Sequence, residues 1–579
     1  MKNPYEKKVR NRTIILLFFF LIWLAAIVLR LIQLQVIDYT RLKNEVAEQN
    51  HDVEKIIPKR GTLFDRSGNI LARSLPRASV FYIPSKDEPM QKHLEKIQAL
   101  RKSLHLSSTK TAGIIERLKK SDSFIWIKRK IEPEEAARLK ALDLAGVHFD
   151  EENKRFYPQG RLAVHVIGRV NIDDRGQSGI EYRYNGFLEG QKGERLILKD
   201  AKYREYRFET LKAPVPGKNL ILTIDETIQY IAEKELEKVA RKTQARWGTV
   251  IISHPPSGDI LAMANYPAYD LNFPPPDVAK IDRNKAIHQT FDPGSTFKII
   301  TASAALETKS VSLNAVFDCS QGAITVPGKV IRDHKKMGVL TFPEVIIHSS
   351  NVGTVQIGQK IGEKNLYETI KAFGFGQRTG IDLPAEEQGI FRPIESWTDI
   401  SLSSLSIGYE ISVTAIQMLQ AINIVAQKGS VIPPRIVKNA PNQEGADIDT
   451  PHQGQRVLSE ETALQMSRML EGVVLSGTGT QAQIEGYRVA GKTGTAQKFD
   501  PAIGRYSARL HTSSFVGYVP VEDPILSIIV IIDEPKGVFY GGEVAAPLFR
   551  ETALQTLRYL QIPRQHIPPQ RMIASQQKQ

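Results

Sequence analysis

The longest apolar stretch of the chain covers residues 13–29, seventeen positions without a charge, and apolar character resumes past Arg30 through residues 31–37. That length is near the short limit for a bilayer span, and an arginine at the end of a span can snorkel to the interface. A cleaved signal peptide would carry a shorter apolar core followed by a small-residue cleavage pattern. Here Leu29-Arg30-Leu31-Ile32-Gln33-Leu34 follows, without an Ala-x-Ala pattern, so residues 13–37 read as an uncleaved transmembrane signal anchor. Lys2, Lys7, Lys8, Arg10 and Arg12 precede it. Cations flanking a span stay in the cytoplasm, which makes residues 1–12 a cytoplasmic arm and puts the rest of the chain outside.

Beyond the span the pattern changes near residue 240. Residues 38–240 are charged, with few long apolar runs. Residues 97–106 and 133–144 predict helices, and residues 196–199 and 219–224 predict extended segments. Together they describe an elongated α+β pedestal. In residues 241–562, Gly248-Thr249-Val250-Ile251-Ile252-Ser253 and Ile260-Leu261-Ala262-Met263-Ala264 flank a Pro/Ser/Gly turn, which predicts two paired strands. Pro293-Gly294 leads into the apolar, Ala-rich residues 297–306, a turn entering a buried helix. Residues 493–496, 513–519 and 525–533 predict three more strands, and residues 545–560 a helix. Strands at both ends with helices between them imply one α/β domain built on an antiparallel sheet. Residues 563–579 read as a polar, flexible tail.

Composition agrees with this division. A chain of 579 residues holds two domains or more, and 41% apolar with 24% charged residues is a globular balance. The formal charge of +14 is partly the N-terminal cluster, and the surplus suits anionic lipid or an acidic polymer. No zinc-finger spacing or RNA-binding motif supports a nucleic-acid role, and an extracytoplasmic location argues against one. Cys319 is the only cysteine, which excludes an internal disulfide and suggests no Cys-based metal site.

Within the α/β region, Ser295-x-x-Lys298, Ser349-x-Asn351 and Lys492-Thr493-Gly494-Thr495 occur in that order. This ordered triple is the pattern of enzymes that acylate a serine with a D-Ala-D-Ala peptide or a β-lactam. Each piece alone is weak: Ser-x-x-Lys recurs at Ser107/Lys110 and Ser575/Lys578, and Ser-x-Asn at Ser67/Asn69 and Ser312/Asn314. Only Ser295 opens a buried helix. Three residues apart on a helix, Ser295 and Lys298 share a face. A serine hydroxyl attacks only when a base takes its proton, and lysine is that base only when neutral. Burial, a helix N-terminus and a second cation, for which Lys492 is the candidate, all disfavour the ammonium form. Gly491 and Gly494 beside Lys492 imply close backbone approach to the strand.

Over nearly all its length the chain resembles the class B, monofunctional penicillin-binding proteins. Arg60-Gly61-x-x-x-Asp65-Arg66-x-Gly68, Arg161-x-x-x-His165-x-x-Gly168, Gly179-x-Glu181 and Leu222-Thr223-x-Asp225 match the boxes of that family's pedestal. Pro293 to Lys298, the run from Gly374 to Pro384, Gly408-Tyr409-Glu410-Ile411-Ser412-Val413-Thr414 and Gly541-Gly542-Glu543-Val544-Ala545-Ala546-Pro547 resemble the FtsI/SpoVD division and septum group. The resemblance implies a transpeptidase domain of the penicillin-binding, serine β-lactamase-like fold after a pedestal (dimerisation) domain and one transmembrane helix. It implies crosslinking of peptidoglycan stem peptides in septal wall synthesis, and acylation by β-lactams. It further implies an FtsW-type lipid II polymerase and other divisome membrane proteins as partners, and no metal or organic cofactor.

The same resemblance implies roles. Ser295 is the nucleophile, Lys298 its base, Ser349 the proton relay to the leaving amine, and Asn351 the partner of the substrate amide and of Lys298. Lys492 supplies positive field, Thr493, Gly494 and Thr495 bind substrate, and the backbone N–H groups of Ser295 and Thr495 form the oxyanion hole. The pedestal charges Arg60, Asp65, Arg66, Arg161 and Glu181 are read as ion pairs joining the domains, and His165 as a structural histidine. Glu152-Asn153-Lys154-Arg155-Phe156-Tyr157 is similar to a glycosyltransferase motif, but Pro158 replaces the histidine that should follow, and no such activity is expected. An elongation-type transpeptidase, a D,D-carboxypeptidase or β-lactamase-type hydrolase, and a division scaffold are the alternatives.

Overall fold

The structure is a computed structural model that describes residues 4–39, 41, 51–85, 87–120, 124–199, 205–438, 440–441, 447–448, 454–500 and 504–564. The tail predicted after residue 562 lies outside the described residues from position 565 on. The chain forms two compact units, residues 1–59 with 190–216, and residues 60–189 with 217–579.

In the first unit the apolar run becomes the helix Pro4–Ile32, continued by one wider turn, Gln33–Ile37. Its apolar part, Lys8–Ile37, is long enough to cross a membrane, and it is unburied by protein. The unit also holds a three-stranded antiparallel sheet, His51–Ile56 against Gly193–Lys199 against Glu205–Lys212.

In the second unit, the strand Ile70–Tyr82 organises the pedestal. It pairs along its length with Val147–Phe156, and with Leu63–Phe64 and Ile125–Ile131 at its two ends. Two expected helices are present, as Met90–Leu104 and Pro133–Lys140. The second is opened by a reciprocal capping pair, Glu132 with Glu135. A third helix, Ser108–Lys120, was not expected. The run before it looks too polar, but Thr111, Ile114 and Leu118 recur at helical spacing and are buried.

The rest of this unit is built on a five-stranded antiparallel sheet in the order Asp259–Tyr266, Trp247–His254, Leu526–Asp533, Arg505–Val519, Ala490–Asp500. Side chains alternate between its faces. Val250, Ile252, Ile528 and Val530 pack with the helices Glu226–Lys242 and Gly541–Tyr559. Ile251, Ile529 and Ile531 pack toward Lys298–Glu307, Ala415–Ala426 and Glu460–Leu475. This is the α/β organisation expected from the sequence. The last helix starts four residues earlier than expected, at Gly541. There a side chain would collide with the carbonyl of Gly494, so the paired glycines let a helix start against the strand.

Candidate active site

The strand Ala490–Asp500 is an edge strand, and the serine turn lies along its free side. Ser295 sits in a 3₁₀ turn, Gly294–Phe297, which passes directly into the α-helix Lys298–Glu307. Three residues make one turn of a 3₁₀ helix, so Ser295 and Lys298 are eclipsed on one side. The turn fits closely. Gly294 has φ +52°, and a β-carbon there would stand 3.1 Å from the Cβ of Ala496. Its N–H donates to the carbonyl of Gly408 at 3.0 Å. A β-carbon on Gly494 would meet Ser514 Oγ at 2.3 Å and Pro293 O at 3.1 Å. The glycine of Lys-Thr-Gly therefore admits the chain's own serine turn.

The two motif lysines are fully buried. Lys298 Nζ donates to Ser349 O at 2.7 Å, Asn351 Oδ1 at 2.7 Å and Ser349 Oγ at 3.3 Å. Lys492 Nζ donates to the same Ser349 Oγ at 2.9 Å and to Thr493 O at 3.2 Å. Two buried lysine amino groups thus converge on one hydroxyl. Ser349 has φ +58°, a conformation uncommon outside glycine that marks many functional sites, and both its carbonyl and its hydroxyl engage Lys298. Burial pushes the Lys298 ammonium down to about 7, with the Asp333 carboxylate opposing the shift. Burial lowers Lys492 as well, reinforced by repulsion from Lys298. A lysine near 7 is deprotonated in a large fraction of molecules at neutral pH, as a general base requires.

Above the lysines opens a cleft of about 1060 Å³ lined by Ser295, Ser349, Asn351, Thr493 and Thr495. Thr493 Oγ1 shares a 2.6 Å hydrogen bond with Thr478 Oγ1. Thr495 Oγ1 accepts from the N–H of Gly541 at 2.9 Å, leaving its hydrogen as a donor. The eight expected site residues are therefore together: five line the cleft, Lys298 and Lys492 lie beneath it, and Gly494 acts through packing.

Several lining residues had no assigned role in the sequence. Asp333 bonds the start of the helix Asn351–Ile361, and no local pattern marks it. Thr478 lies in the small-residue run Ser476-Gly477-Thr478-Gly479-Thr480 between a helix and a strand, a signal that could have found it. Tyr409 and Tyr506 meet edge to face at 5.3 Å, with Lys329 Nζ 5.7 and 5.9 Å from their ring centres.

The pedestal boxes divide. Arg60 and Arg155 each reach one oxygen of the buried Glu181 carboxylate at 2.6 Å. Asp65 accepts from Ser67, Asn69 and Glu226 backbone N–H groups. Arg66 is exposed, and Arg161 is half exposed, 3.5 Å from Glu237, so neither belongs to a buried pair. His165 is buried and its Nε2–H donates to Ile281 O at 2.8 Å, with burial lowering it to about 4, which fits a structural histidine. Glu152 is a strand residue paired with Arg129 and Ser79.

Known proteins match along most of the chain. The penicillin binding protein transpeptidase domain matches residues 248–553, and the penicillin-binding protein dimerisation domain residues 55–222. Stage V sporulation protein D of Bacillus subtilis is 36% identical over 500 residues, covering 85% of this chain and 77% of that protein. The peptidoglycan D,D-transpeptidase FtsI of Escherichia coli K12 is 32% identical over 546 residues, covering 94% and 90%. Penicillin binding protein 3 of Mycobacterium tuberculosis, solved with aztreonam, has a TM-score of 0.68 at 26% identity, covering 88% of this chain and 98% of that one. With a dimerisation domain, a transpeptidase domain and relatives of this identity over this length, the chain belongs to the class B penicillin-binding proteins and is a peptidoglycan D,D-transpeptidase.

Proposed function

We propose that the acyl-transfer centre is Ser295, worked by Lys298, Ser349 and Lys492, and that the enzyme crosslinks stem peptides during septal wall synthesis. The observation that carries the site assignment is the convergence of two buried lysines on Ser349 Oγ below the cleft that holds Ser295. Neutral Lys298 takes the proton of Ser295 Oγ as that oxygen bonds to the carbonyl carbon of the penultimate D-alanine. The N–H groups of Ser295 and Thr495 hold the oxyanion, a contribution of about 3–4 kcal/mol per donor. As the peptide bond breaks, Lys298 returns that proton through Ser349 to the departing D-alanine amine, leaving an ester on Ser295 and both Lys298 and Ser349 in their starting states. An amine of a neighbouring stem peptide then attacks the ester, forms the crosslinking amide, and returns the proton to Ser295. Asn351 holds the substrate amide, and Thr493 and Thr495 bind the terminal carboxylate.

On this reading residues 38–240 are the pedestal and residues 241–562 the catalytic domain. The helix 13–37 anchors the protein in the cytoplasmic membrane with the catalytic part outside, beside an FtsW-type lipid II polymerase. The FtsI relative and the Gly408–Thr414 and Gly541–Pro547 runs support the septal role. The sporulation protein D relative supports a second reading, a role in sporulation.

Labelled penicillin tests the site. Ser295→Ala abolishes covalent labelling while the protein stays folded; labelling of the variant at the wild-type rate overturns the assignment. Depletion separates the roles: failure of septation supports the first, and a defect confined to sporulation the second. A reporter that folds only outside the cytoplasm works after Gln579 and fails before Met1.

A further inference from the structure

A carboxylate with no role in the reaction as described lies behind the Ser-x-Asn turn. Asp333 ends the hairpin formed by Ala323–Val326 and Lys329–Arg332. Its Oδ1 accepts from the backbone N–H of Asn351 and, at 3.1 Å, from that of Val352. Its Oδ2 accepts from Ser350 Oγ at 2.8 Å, and Ser350 Oγ in turn accepts from the N–H of Gly353 at 2.9 Å. One carboxylate thereby occupies the first turn of the helix Asn351–Ile361, where orphan N–H groups and the helix dipole favour negative charge. The preceding carbonyl of Arg332 accepts from Asn351 Nδ2 at 2.9 Å. That bond turns the other end of the amide, Oδ1, to Lys298. The hairpin end therefore grips both the backbone and the side chain of Asn351, next to Ser349.

We propose that Asp333 is a positioning residue for acyl transfer: it fixes the turn carrying Ser349 and Asn351 against Lys298 and places a negative charge near Lys298. The inference rests on the roles proposed above for Ser295 and Lys298. The Asp333 carboxylate favours the Lys298 ammonium, while the nearby Cys319 thiol, raised by burial, is neutral at the pH where Lys298 titrates. Lys492 and His334 feel the Lys298 charge in return, and His348 stands beside His334. Removing the Asp333 charge therefore makes Lys298 easier to deprotonate, while releasing the turn makes the base and the relay less well placed. A residue acting only on the fold would lower the rate without moving its pH dependence.

The test is the acylation rate of the full-length, detergent-solubilised protein by a chromogenic β-lactam across pH, for wild type, Asp333→Asn, Asp333→Glu and Ser295→Ala, each first shown to melt cooperatively. Asp333→Asn acylates about tenfold more slowly or worse at high pH. The midpoint of its acid limb moves down by about half a pH unit or more. Asp333→Glu keeps the charge with a changed reach, so its rate falls while its midpoint stays at the wild-type value. Should Asp333→Asn fail to fold, Asp333→Glu decides, and wild-type acylation by it overturns the proposal. Rates within twofold of wild type for Asp333→Asn, or a uniform loss with an unmoved midpoint, also overturn it. Labelling of Ser295→Ala at the wild-type rate overturns instead the site reading beneath it.

Discussion

In the pedestal, Arg60 and Arg155 are buried on either side of Glu181; in the catalytic cleft, Lys298 and Lys492 are buried on either side of Ser349. The pedestal cations are met by charge. Glu181 gives one carboxylate oxygen to each guanidinium, and its backbone carbonyl accepts from Arg60 Nη2 at 2.8 Å. Asp174 O and Asn185 Oδ1 accept from Arg60 Nη1, and Gly61 O accepts from Arg155 Nη1. Arg155 Nη2 alone has no partner among the described residues. The cleft cations donate to neutral oxygens, and the Asp333 carboxylate favours the Lys298 ammonium without displacing the net downward effect of burial. Arginine stays charged wherever it is buried, so it suits a permanent junction that must be compensated. Lysine gives up its proton more readily when buried, and burial lowers both cleft lysines, with repulsion from Lys298 adding to the shift at Lys492; on the proposed function this makes Lys298 the base. The same physical cost, removing a cation from water, is offset by a carboxylate in one region and, on the proposed function, put to chemical use in the other.

The sharpest way to break this contrast is to exchange the side-chain types. Lys298→Arg keeps the cation and much of the bulk but cannot supply a base. Acylation should fall by about two to four decades, the range attributed to general acid–base catalysis. Stopped-flow β-lactam acylation measures this, and retention of most of the rate would reduce Lys298 to a source of charge. The wild-type profile sharpens the same point. Ammonium below and amine above its midpoint, Lys298 makes acylation rise with pH through about 7, and Lys298→Arg should lack that rise.

In the pedestal, Glu181→Ala leaves two buried guanidinium groups without their carboxylate. Breaking a buried pair in this way costs about 3–5 kcal/mol of stability. Denaturant melts should show that loss, while the fraction still folded keeps the wild-type acylation midpoint. A shift of that midpoint would mean that the two charge systems are coupled.

Thr495→Val tests a contact that is neither a junction nor a base. Losing a hydroxyl that binds the substrate carboxylate costs about 1.5–3 kcal/mol, roughly one to two decades in acylation efficiency. Wild-type acylation would pass the carboxylate role to Thr493 or Ser349. The smallest effect is expected at Arg161, which sits in a pedestal box yet is half exposed, 3.5 Å from Glu237. Arg161→Ala should change stability by less than about 0.5 kcal/mol, as exposed ion pairs usually do. A larger loss would return it to the structural charges.

The sequence by itself determined the membrane-length helix and the α/β organisation, and it picked out the motif residues that the structure brings together at the cleft. Each is written in short-range terms: an uncharged apolar run, period-2 strands with turn residues between them, and three spaced motifs in order. Helix ends were less legible, because the pattern that places a helix over 545–560 does not show that Gly541 packs directly against the carbonyl of Gly494. Local pattern named Arg60, Arg66 and Arg161 alike as pedestal charges. Only the tertiary structure decided that the first is buried against Glu181, 121 positions away, while the other two face solvent. It also decided that Lys492 lies under the cleft, that Gly494 makes room for the chain's own serine turn, and that Asp333 and Thr478 belong to the site. The physical reason is common to all of these. Burial and charge compensation depend on which distant segments share a volume, and a one-dimensional pattern carries periodicity but not that partner.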